Sequence, residues 1–132
     1  MWQHDCGALP IVDDSGTAIG MITDRDICIA LSTRDAPSSQ IMAGEVITRS
    51  PSVCSPDDDV RSALKLMAKE RIRRVPVVDD NGALAGILSL NDIVLRAEKS
   101  HGRKHDISYD DVVVALQAIC RHTTGPLQTV AA

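Results

Sequence analysis

The sequence has very few aromatic side chains. It holds one tryptophan, Trp2, one tyrosine, Tyr109, and no phenylalanine. Proteins that bind single-stranded nucleic acid stack the bases on aromatic side chains, so this class is disfavoured. The sequence also lacks an excess of positive charge, because its formal net charge is −4 at pH 7. Non-specific binding to nucleic acid needs an excess of lysine and arginine. We therefore expect no nucleic-acid partner.

Closely spaced cysteines and long apolar runs are missing as well. The four cysteines, Cys6, Cys28, Cys54 and Cys120, form no C-x-x-C pair, so neither a zinc knuckle nor a thioredoxin-like site is predicted. Cys28 and Cys54 lie among apolar residues, and we expect reduced, buried thiols in a cytoplasmic protein. The first residues, MWQHDCG, contain no apolar run, and no stretch approaches the roughly 20 apolar residues that cross a bilayer. Neither a signal peptide nor a membrane partner is predicted.

The chain contains an internal repeat with a period of 66 residues. LPIVDDSGTAIGMITDRDI begins at Leu9, and VPVVDDNGALAGILSLNDI begins at Val75. The two copies share the proline, the D-D turn, both glycines and the final D-I, and most other pairs exchange one apolar residue for another. A repeat this clear is interpreted first, because it fixes the architecture.

Each copy predicts the same local elements. LPIV and VPVV are short runs rich in β-branched residues and predict buried strands, and DDSG and DDNG are typical of turns. TAIGMIT and ALAGILS each predict a second strand, in which the central glycine marks a close approach to the backbone or a bulge. DRDICIAL and LNDIVLRA carry apolar residues at helical spacing and predict helices.

A further helix is predicted ahead of the second copy. Ser55 fits the N-cap, Pro56 fits the first helical position, and Asp58 completes a sequence similar to a capping box. The apolar face of this helix consists of Val60, Ala63, Leu64 and Met67. The dipole of the helix explains the acidic run 57–59, so no metal site is predicted there. Residues 52–54, SVC, predict one more short strand, and the full unit is therefore β-α-β-β-α.

The two copies resemble a known family. Residues 20–26, GMITDRD, and residues 86–92, GILSLND, match the motif G-h-x-[T/S]-x-x-D, and each follows an [L/V]-P-h-V-D-D strand. This pattern resembles the CBS domain, a module that works as a tandem pair called a Bateman module. The resemblance covers residues 1–97 and implies an α+β (α/β) fold, with tandem β-α-β-β-α repeats packed as a pseudo-two-fold pair. A further helix at the C-terminus is predicted from the residues that follow Ser108.

The resemblance also divides the chain into segments. These are a first repeat at 1–36, a connecting segment at 37–50, a second repeat at 51–97, a linker at 98–107, a C-terminal helix at 108–121 and a flexible tail at 122–132. Met1 aligns with Met67, so the first repeat of this sequence is expected to be truncated at its N-terminus. It would lack its first strand and most of its first helix.

The resemblance implies an adenosine-type ligand in the cleft between the repeats, namely AMP, ADP, ATP, NAD or S-adenosylmethionine. The matching aspartates, Asp26 and Asp92, would take the ribose hydroxyls, and Thr23 and Ser89 would contact phosphate. A carboxylate makes strong hydrogen bonds to a cis-diol, and free N–H groups at a helix start suit a phosphate oxygen. In the alternative interpretation, both pairs are only N-caps with first-turn carboxylates.

The resemblance implies that the two clefts are not equivalent. The residues predicted to complete the Asp26 cleft are Ser52, Val53, Arg73 and Arg74. Gly7 and Ala8 would complete the Asp92 cleft without adding charge, so we expect Asp26→Ala to weaken binding more than Asp92→Ala. Arginine offers bidentate donors for phosphate, although RIRR could also be a solvated basic edge. Successive strand residues face opposite ways, so only one of the two arginines is expected to reach a ligand.

The C-terminal part allows two interpretations. SYDDVVVALQAI, residues 108–119, resembles SPDDDVRSALKLM, residues 55–67, with one residue deleted. It could occupy the vacant helix position of the first repeat, in cis or from a second subunit. Alternatively, it is a plain amphipathic helix capped by Ser108 that packs elsewhere. His101 and His105 have a spacing that suits a metal only on a helix, and Gly102 weakens that possibility, so no metal site is predicted.

The resulting functional prediction is a cytoplasmic regulatory module with an adenine nucleotide, foremost AMP, as its regulatory ligand. The module would form a homodimer through its CBS helices, act on an unknown effector protein and require no cofactor. One alternative is a ligand-free dimerisation module, because Leu90 and Asn91 replace Asp24 and Arg25. The other is an enzyme, but no G-x-S-x-G, H-E-x-x-H or P-loop pattern is present. No catalytic residue is therefore predicted.

Overall fold

A computed structural model describes Met1, Gln3 and residues 6–99 and 107–121. The predicted tail 122–132, the His101–His105 pair and most of the linker lie outside the described residues. The elements are β1 (Ala8–Val12), β2 (Ala18–Thr23), α1 (Asp24–Thr33), a 3₁₀ helix (Ser38–Gln40), α2 (Ala43–Val46), α3 (Val60–Glu70), β3 (Arg74–Val78), β4 (Leu84–Ser89), α4 (Leu90–Val94) and α5 (Tyr109–Cys120). They form two compact units: unit 1 is Met1–Asp59 with Arg74–Ser89, and unit 2 is Val60–Arg73 with Leu90–Ala132.

Unit 1 contains two antiparallel hairpins with the same register. Leu9 pairs with Ile22 in the β1–β2 hairpin, and Val75 pairs with Leu88 in the β3–β4 hairpin. Each hairpin has an irregularity before its last pair, at equivalent places in the repeat. The pattern of the sequence thus predicted all four strands correctly, because strand alternation and turn residues agree within each copy.

The tips of the two hairpins are joined by reciprocal backbone hydrogen bonds. The Ala18 N–H donates to the Gly82 carbonyl at 3.4 Å, and the Leu84 N–H donates to the Gly16 carbonyl at 3.0 Å. The two glycines have φ values of 83° and 81°, which a residue with a side chain rarely adopts. Each bond maps onto the other under the 66-residue shift, so the hairpins of unit 1 are related by a pseudo-two-fold.

The strand predicted at 52–54 is reduced to a single bridge beside β3. The Cys54 N–H donates to the Pro76 carbonyl at 3.1 Å, and the Val78 N–H donates to the Cys54 carbonyl at 2.9 Å. The pairing is parallel. This bridge brings Cys54, the residue that follows Ser52 and Val53, to the edge of the second hairpin.

The prediction of buried thiols is correct for Cys54 and wrong for Cys28. Cys54 is buried, and this burial raises the pKa of its thiol. Cys28 is exposed, because α1 buries Ala30 instead. Two residues apart on a helix means about 200° apart around its axis, so the two side chains face in different directions.

The segment that follows α1 is attached to unit 1 at two places. Arg34 donates from Nη1 to Glu45 Oε2 at 2.7 Å and from Nη2 to the Glu45 carbonyl at 2.6 Å. Ile47 packs so closely on Gly20 that an added Cβ would lie 2.6 Å from its Cδ1 atom. The equivalent Gly86 would meet nothing within 4 Å among the described residues. Of the two alternatives predicted for these glycines, the close approach is found among the described residues in the first copy alone, whereas the irregularity in strand register lies beside the glycine in both copies.

Helix α3 supplies the apolar centre of unit 2, with Ala63, Leu64 and Met67 buried. The predicted start of this helix was wrong, because it begins at Val60 rather than Pro56. Ser55 and Asp58 close a separate turn ahead of it. The Ser55 N–H donates to Asp58 Oδ2 at 2.8 Å, and the Asp58 N–H donates to the Ser55 carbonyl at 3.1 Å.

Helix α5 packs on α3 and also contacts α4. It buries Val112 and Ala115, and Arg61 Nη1 of α3 lies 3.1 Å from Asp111 Oδ2. These contacts fit the interpretation of an amphipathic helix capped by Ser108. Occupation of the vacant helix position of the first repeat, in cis or from a second subunit, stays a prediction. The helix predicted at 90–97 is shorter than expected and ends at Val94.

A full capping box begins α5. The Asp111 N–H donates to Ser108 Oγ at 3.2 Å, while Asp111 Oδ2 accepts from the Ser108 N–H at 3.0 Å and from its hydroxyl at 2.8 Å. The Ser108 backbone and hydroxyl, followed by the positive charge of Arg61, hold the pKa of Asp111 below its ordinary value. The charged form of this carboxyl thus stabilises the folded state.

We expect Asp111→Asn to lower the free energy of unfolding by about 1 kcal/mol at pH 7, the usual value of an N-terminal cap interaction. A lowered pKa contributes stability above the unfolded pKa, and this contribution is lost as the pH falls through the folded value. The difference between variant and wild type should therefore shrink towards pH 3 in urea titrations followed by circular dichroism. Asp110→Asn, in the same turn but outside the box, is the control; an Asp111→Asn deficit that does not change with pH would contradict the assignment.

Candidate functional site

The turn between β2 and α1 brings Thr23 and Asp26 together as a capping box. The Asp26 N–H donates to Thr23 Oγ1 at 3.1 Å, and Asp26 Oδ2 accepts from the Thr23 N–H at 2.8 Å and from its hydroxyl at 2.6 Å. The interpretation of these residues as a helix cap therefore holds locally. A ligand at this turn would have to bind atoms of Thr23 and Asp26 that make no hydrogen bond within the capping box.

The backbone donors of this turn are already occupied. The Asp24 N–H donates to the Gly7 carbonyl at 3.1 Å, and the Arg25 N–H donates to Asp24 Oδ1 at 2.8 Å. The next N–H, of Asp26, donates to Thr23. The free N–H groups expected for a phosphate are thus absent from the start of α1, and Asp24 adds a negative charge there.

The second carboxylate oxygen of Asp26 remains for a ligand. Among the described residues, the hydrogen bonds of this carboxylate go to Oδ2 alone, and its side chain is half-buried. Oδ1 can accept hydrogen bonds from a sugar diol without breaking the cap. The single hydroxyl proton of Thr23 is donated to Asp26, so a bond from Thr23 to phosphate would replace that contact.

The second turn has the same backbone and different side chains. The Leu90 N–H donates to the Arg73 carbonyl at 2.8 Å, as Asp24 does to Gly7. Leu90 is 4% exposed and supplies no acceptor and no charge at this position. Ser89 ends β4, and Asp92 lies in the first turn of α4. The second turn is therefore less acidic than the first.

Arg73 and Arg74, the last two residues of the RIRR run, lie next to the second turn. Arg74 pairs with Ser89 across the hairpin, just as Ala8 pairs with Thr23 in the first copy, and the Arg73 carbonyl holds the start of α4. Arg73 is exposed and Arg74 is half-buried. Their predicted role in the Asp26 cleft, and that of Ala8 in the Asp92 cleft, stays a prediction.

The structure places the other two candidates in the same unit as Thr23 and Asp26. Ser52 is half-buried, and Val53 is 40% exposed. Both come just before the bridge between Cys54 and β3.

The family model described as CBS domain matches residues 3–33 and 43–99 of this chain. The chain belongs to the CBS domain family.

One relative is the CBS domain-containing protein YhcV of Bacillus subtilis, which is 37% identical over 99 residues, or 72% of this chain and 66% of that protein. A crystal structure of the CBS domain pair of protein MJ0100, in complex with 5′-methylthioadenosine and S-adenosyl-L-methionine, is 34% identical. Its TM-score is 0.60, and the match covers 71% of this chain and 72% of that one. The chain spans between 48% and 76% of the length of four curated relatives.

The CBS family is a family of regulatory modules, and some of its members are parts of enzymes. Inosine-5′-monophosphate dehydrogenase of Methanocaldococcus jannaschii is 34% identical over 97 residues, which cover 73% of this chain and 18% of that enzyme. The match concerns the CBS part of the dehydrogenase, so it assigns no catalytic residue to this CBS chain.

The described residues contain neither a cluster of metal-binding side chains nor a helix that could span a membrane. In the described part of this CBS chain, no group of three or more histidine, cysteine, aspartate or glutamate residues could hold a metal ion. None of the helices within residues 6–99 and 107–121 has the length and apolar character needed to span a bilayer.

Reasoning from the sequence missed which residues flank each turn. An antiparallel hairpin places the residues just before its first strand beside the end of its second strand. Arg73 and Arg74 therefore belong beside the turn of their own CBS repeat, as do Gly7 and Ala8. The signal was present in the turn spacing, which sets the hairpin register.

Proposed function

We propose that this chain is a cytoplasmic regulatory module that senses an adenine nucleotide in the cleft between its two CBS repeats. In the Asp26 cleft the ligand, AMP in the first instance, would bind through Asp26 at the sugar and through Thr23 and either Arg73 or Arg74 at phosphate, next to Ser52 and Val53. Asp92 and Ser89 would have the corresponding roles in the second cleft. The module passes a change of conformation or of dimer state to an effector protein. It forms a homodimer through its CBS helices and needs no cofactor.

The observation that carries the proposal is the repeated turn. Both copies end a glycine-containing strand with a hydroxyl residue followed three positions later by an aspartate, in equivalent hairpins. At the first turn, Oδ1 of Asp26 remains available beside a half-buried hydroxyl. The adenosyl ligands of the MJ0100 pair support a nucleoside as the group recognised.

A ligand of this kind acts by mass action. It stabilises the arrangement that it binds better, by RT ln(1 + [L]/Kd), and it shifts the equilibrium only as far as its affinities for the two arrangements differ. The signal that an effector protein reads is therefore this difference in affinity and not the tightness of binding itself.

A second candidate is a module that binds S-adenosylmethionine or NAD, or that dimerises without a ligand. The occupied N–H groups at the start of α1 and the charge of Asp24 oppose phosphate at the first turn. They therefore favour S-adenosylmethionine or a ligand-free module, but not NAD, which carries two phosphates. S-adenosylmethionine carries no phosphate and needs only the sugar contact there.

Isothermal titration calorimetry with AMP, ADP, ATP, NAD and S-adenosylmethionine separates these functions. We expect AMP to bind with a measurable heat and to raise the melting temperature. Binding of S-adenosylmethionine or NAD alone would support the second candidate. No heat and no thermal shift with the whole panel would support a ligand-free module, and conversion of any of these compounds would indicate an enzyme.

A further inference from the structure

Helix α5 has an apolar stripe on the side that α3 does not cover. Its buried side contains Val112 and Ala115. The stripe on the other side consists of Tyr109, Val113, Leu116 and Cys120. The first three of these are 51%, 49% and 42% exposed, and Cys120 is exposed as well. A helix packed on one side normally turns polar residues outwards, so this second apolar side needs a partner.

The spacing of the stripe is that of a two-helix seam. Its residues follow one another at intervals of four, three and four, the heptad pattern in which a and d positions line a coiled coil. The pattern is also symmetric about its centre, between Val114 and Ala115. In an antiparallel pair of α5 helices, Tyr109 of one copy faces Cys120 of the other, and Val113 faces Leu116. A surface that complements itself in this way is what a two-fold interface requires.

The charges beside the stripe select the antiparallel direction. Asp110 and Arg121 are both exposed and lie near opposite ends of the stripe, because Asp110 is in the first turn of α5 and Arg121 is its C-cap residue. Antiparallel docking brings Asp110 of one copy towards Arg121 of the other at both ends of the pair. Parallel docking would bring like charges together and would align the two helix dipoles unfavourably.

We propose that a second copy of this chain docks antiparallel along the Tyr109–Cys120 stripe of α5. The inference adds a surface outside the CBS helices to the homodimer of the proposed function, and it is independent of the nucleotide. Helix α5 packs on α3 and α4. A second copy of the chain that binds to this side of the second repeat would therefore contact α5. A helix of 12 residues is about 18 Å long, which gives a small interface, so we expect association in the micromolar range.

Sedimentation velocity of the full chain tests this surface with two neighbouring valines. We expect the wild type to form dimers, and Val113→Glu to raise the dimer dissociation constant at least tenfold. Val114→Glu is the matched control, since Val114 is even more exposed, at 65%, but points about 100° away around the helix from Val113. Circular dichroism checks that both variants fold. A wild type that stays monomeric, or equal effects of the two substitutions, would overturn the proposal.

The direction of docking has its own test. Asp110→Arg and Arg121→Asp should each weaken the dimer several-fold, and the double variant should recover it. With Cys6 and Cys28 replaced by serine, Tyr109→Cys should form a short bismaleimide cross-link to Cys120 of the second copy. Cross-linking between the two Cys120 residues, or no recovery in the double variant, would refute antiparallel docking. A dimer that binds no ligand of the calorimetry panel would count against the nucleotide function alone.

Discussion

Replacing Gly20 by alanine is expected to lower the free energy of unfolding by about 2 kcal/mol, in the range of an overpacked core. The added methyl group would lie 2.6 Å from Ile47 Cδ1, 2.8 Å from its Cγ2 and 3.0 Å from its Cβ. The last of these atoms belongs to the fixed base of the side chain, so a rotation of Ile47 does not relieve the contact. The segment after α2 must move instead. Equilibrium urea unfolding measures the loss.

The repeat provides a matched control for this prediction. Gly86 occupies the same position in β4, and a Cβ added there meets nothing within 4 Å among the described residues. Gly86→Ala should therefore be neutral or stabilise the fold by up to about 0.5 kcal/mol, because alanine restricts the unfolded chain. Adding Ile47→Ala should restore part of the stability lost in Gly20→Ala, since the two side chains share one space. Equal losses at both glycines would show that strand geometry, and not Ile47, decides the effect.

The difference between Gly20 and Gly86 shows which parts of the fold the sequence repeat could predict and which it could not. The strands and turns of both copies were predicted, because their apolar alternation and turn residues are local signals that appear twice. The contact between Ile47 and Gly20 comes from the connecting segment, which was not part of the aligned repeat. The same segment is joined to the end of α1 by the Arg34–Glu45 pair, and neither residue carries a motif. A contact set by tertiary packing leaves no periodic signal in the sequence.

The errors at α3 and α1 have a similar cause. The sequence around Ser55 fits a capping box, but its carboxylate closes a turn that ends before Val60. Sequence spacing does not distinguish a cap from such a turn, since both use the same hydrogen bond between residues three positions apart. Cys28 stands in an apolar run, and which side of a short helix is buried depends on the surface that it meets.

The candidate site was predicted as a set of residue types rather than as a geometry. The sequence indicated Thr23 with Asp26 and Ser89 with Asp92, and the structure confirms that the first pair is in contact. It did not indicate that Asp24 would occupy the Arg25 N–H. That contact depends on the rotamer of Asp24, which the sequence does not specify. The absence of free N–H groups for a phosphate at the first turn is therefore visible only in the structure.

Asp26→Ala is expected to weaken AMP binding about 100-fold, or about 2.7 kcal/mol. The substitution removes Oδ1, the acceptor that the capping box leaves for a ribose diol, and it breaks the box itself. The loss of a charged acceptor that faces two hydroxyls accounts for an effect of this size. Asp92→Ala should weaken binding less, if Asp26 provides the principal sugar contact. Calorimetry on the two variants gives the ranking.

The effect of breaking the capping box can be separated from the effect of losing the sugar contact, because the chain has a second capping box outside the proposed site. Asp111→Ala breaks the capping box of α5, which has the same three hydrogen bonds as that of α1. Both variants should lose similar stability, while only Asp26→Ala should lose affinity for AMP. If Asp111→Ala weakened binding as much, the effect of Asp26→Ala would be one of folding. A larger loss in Asp92→Ala would move the principal sugar contact to the second turn, next to Arg73 and Arg74, where the turn itself lacks the opposing charge of Asp24.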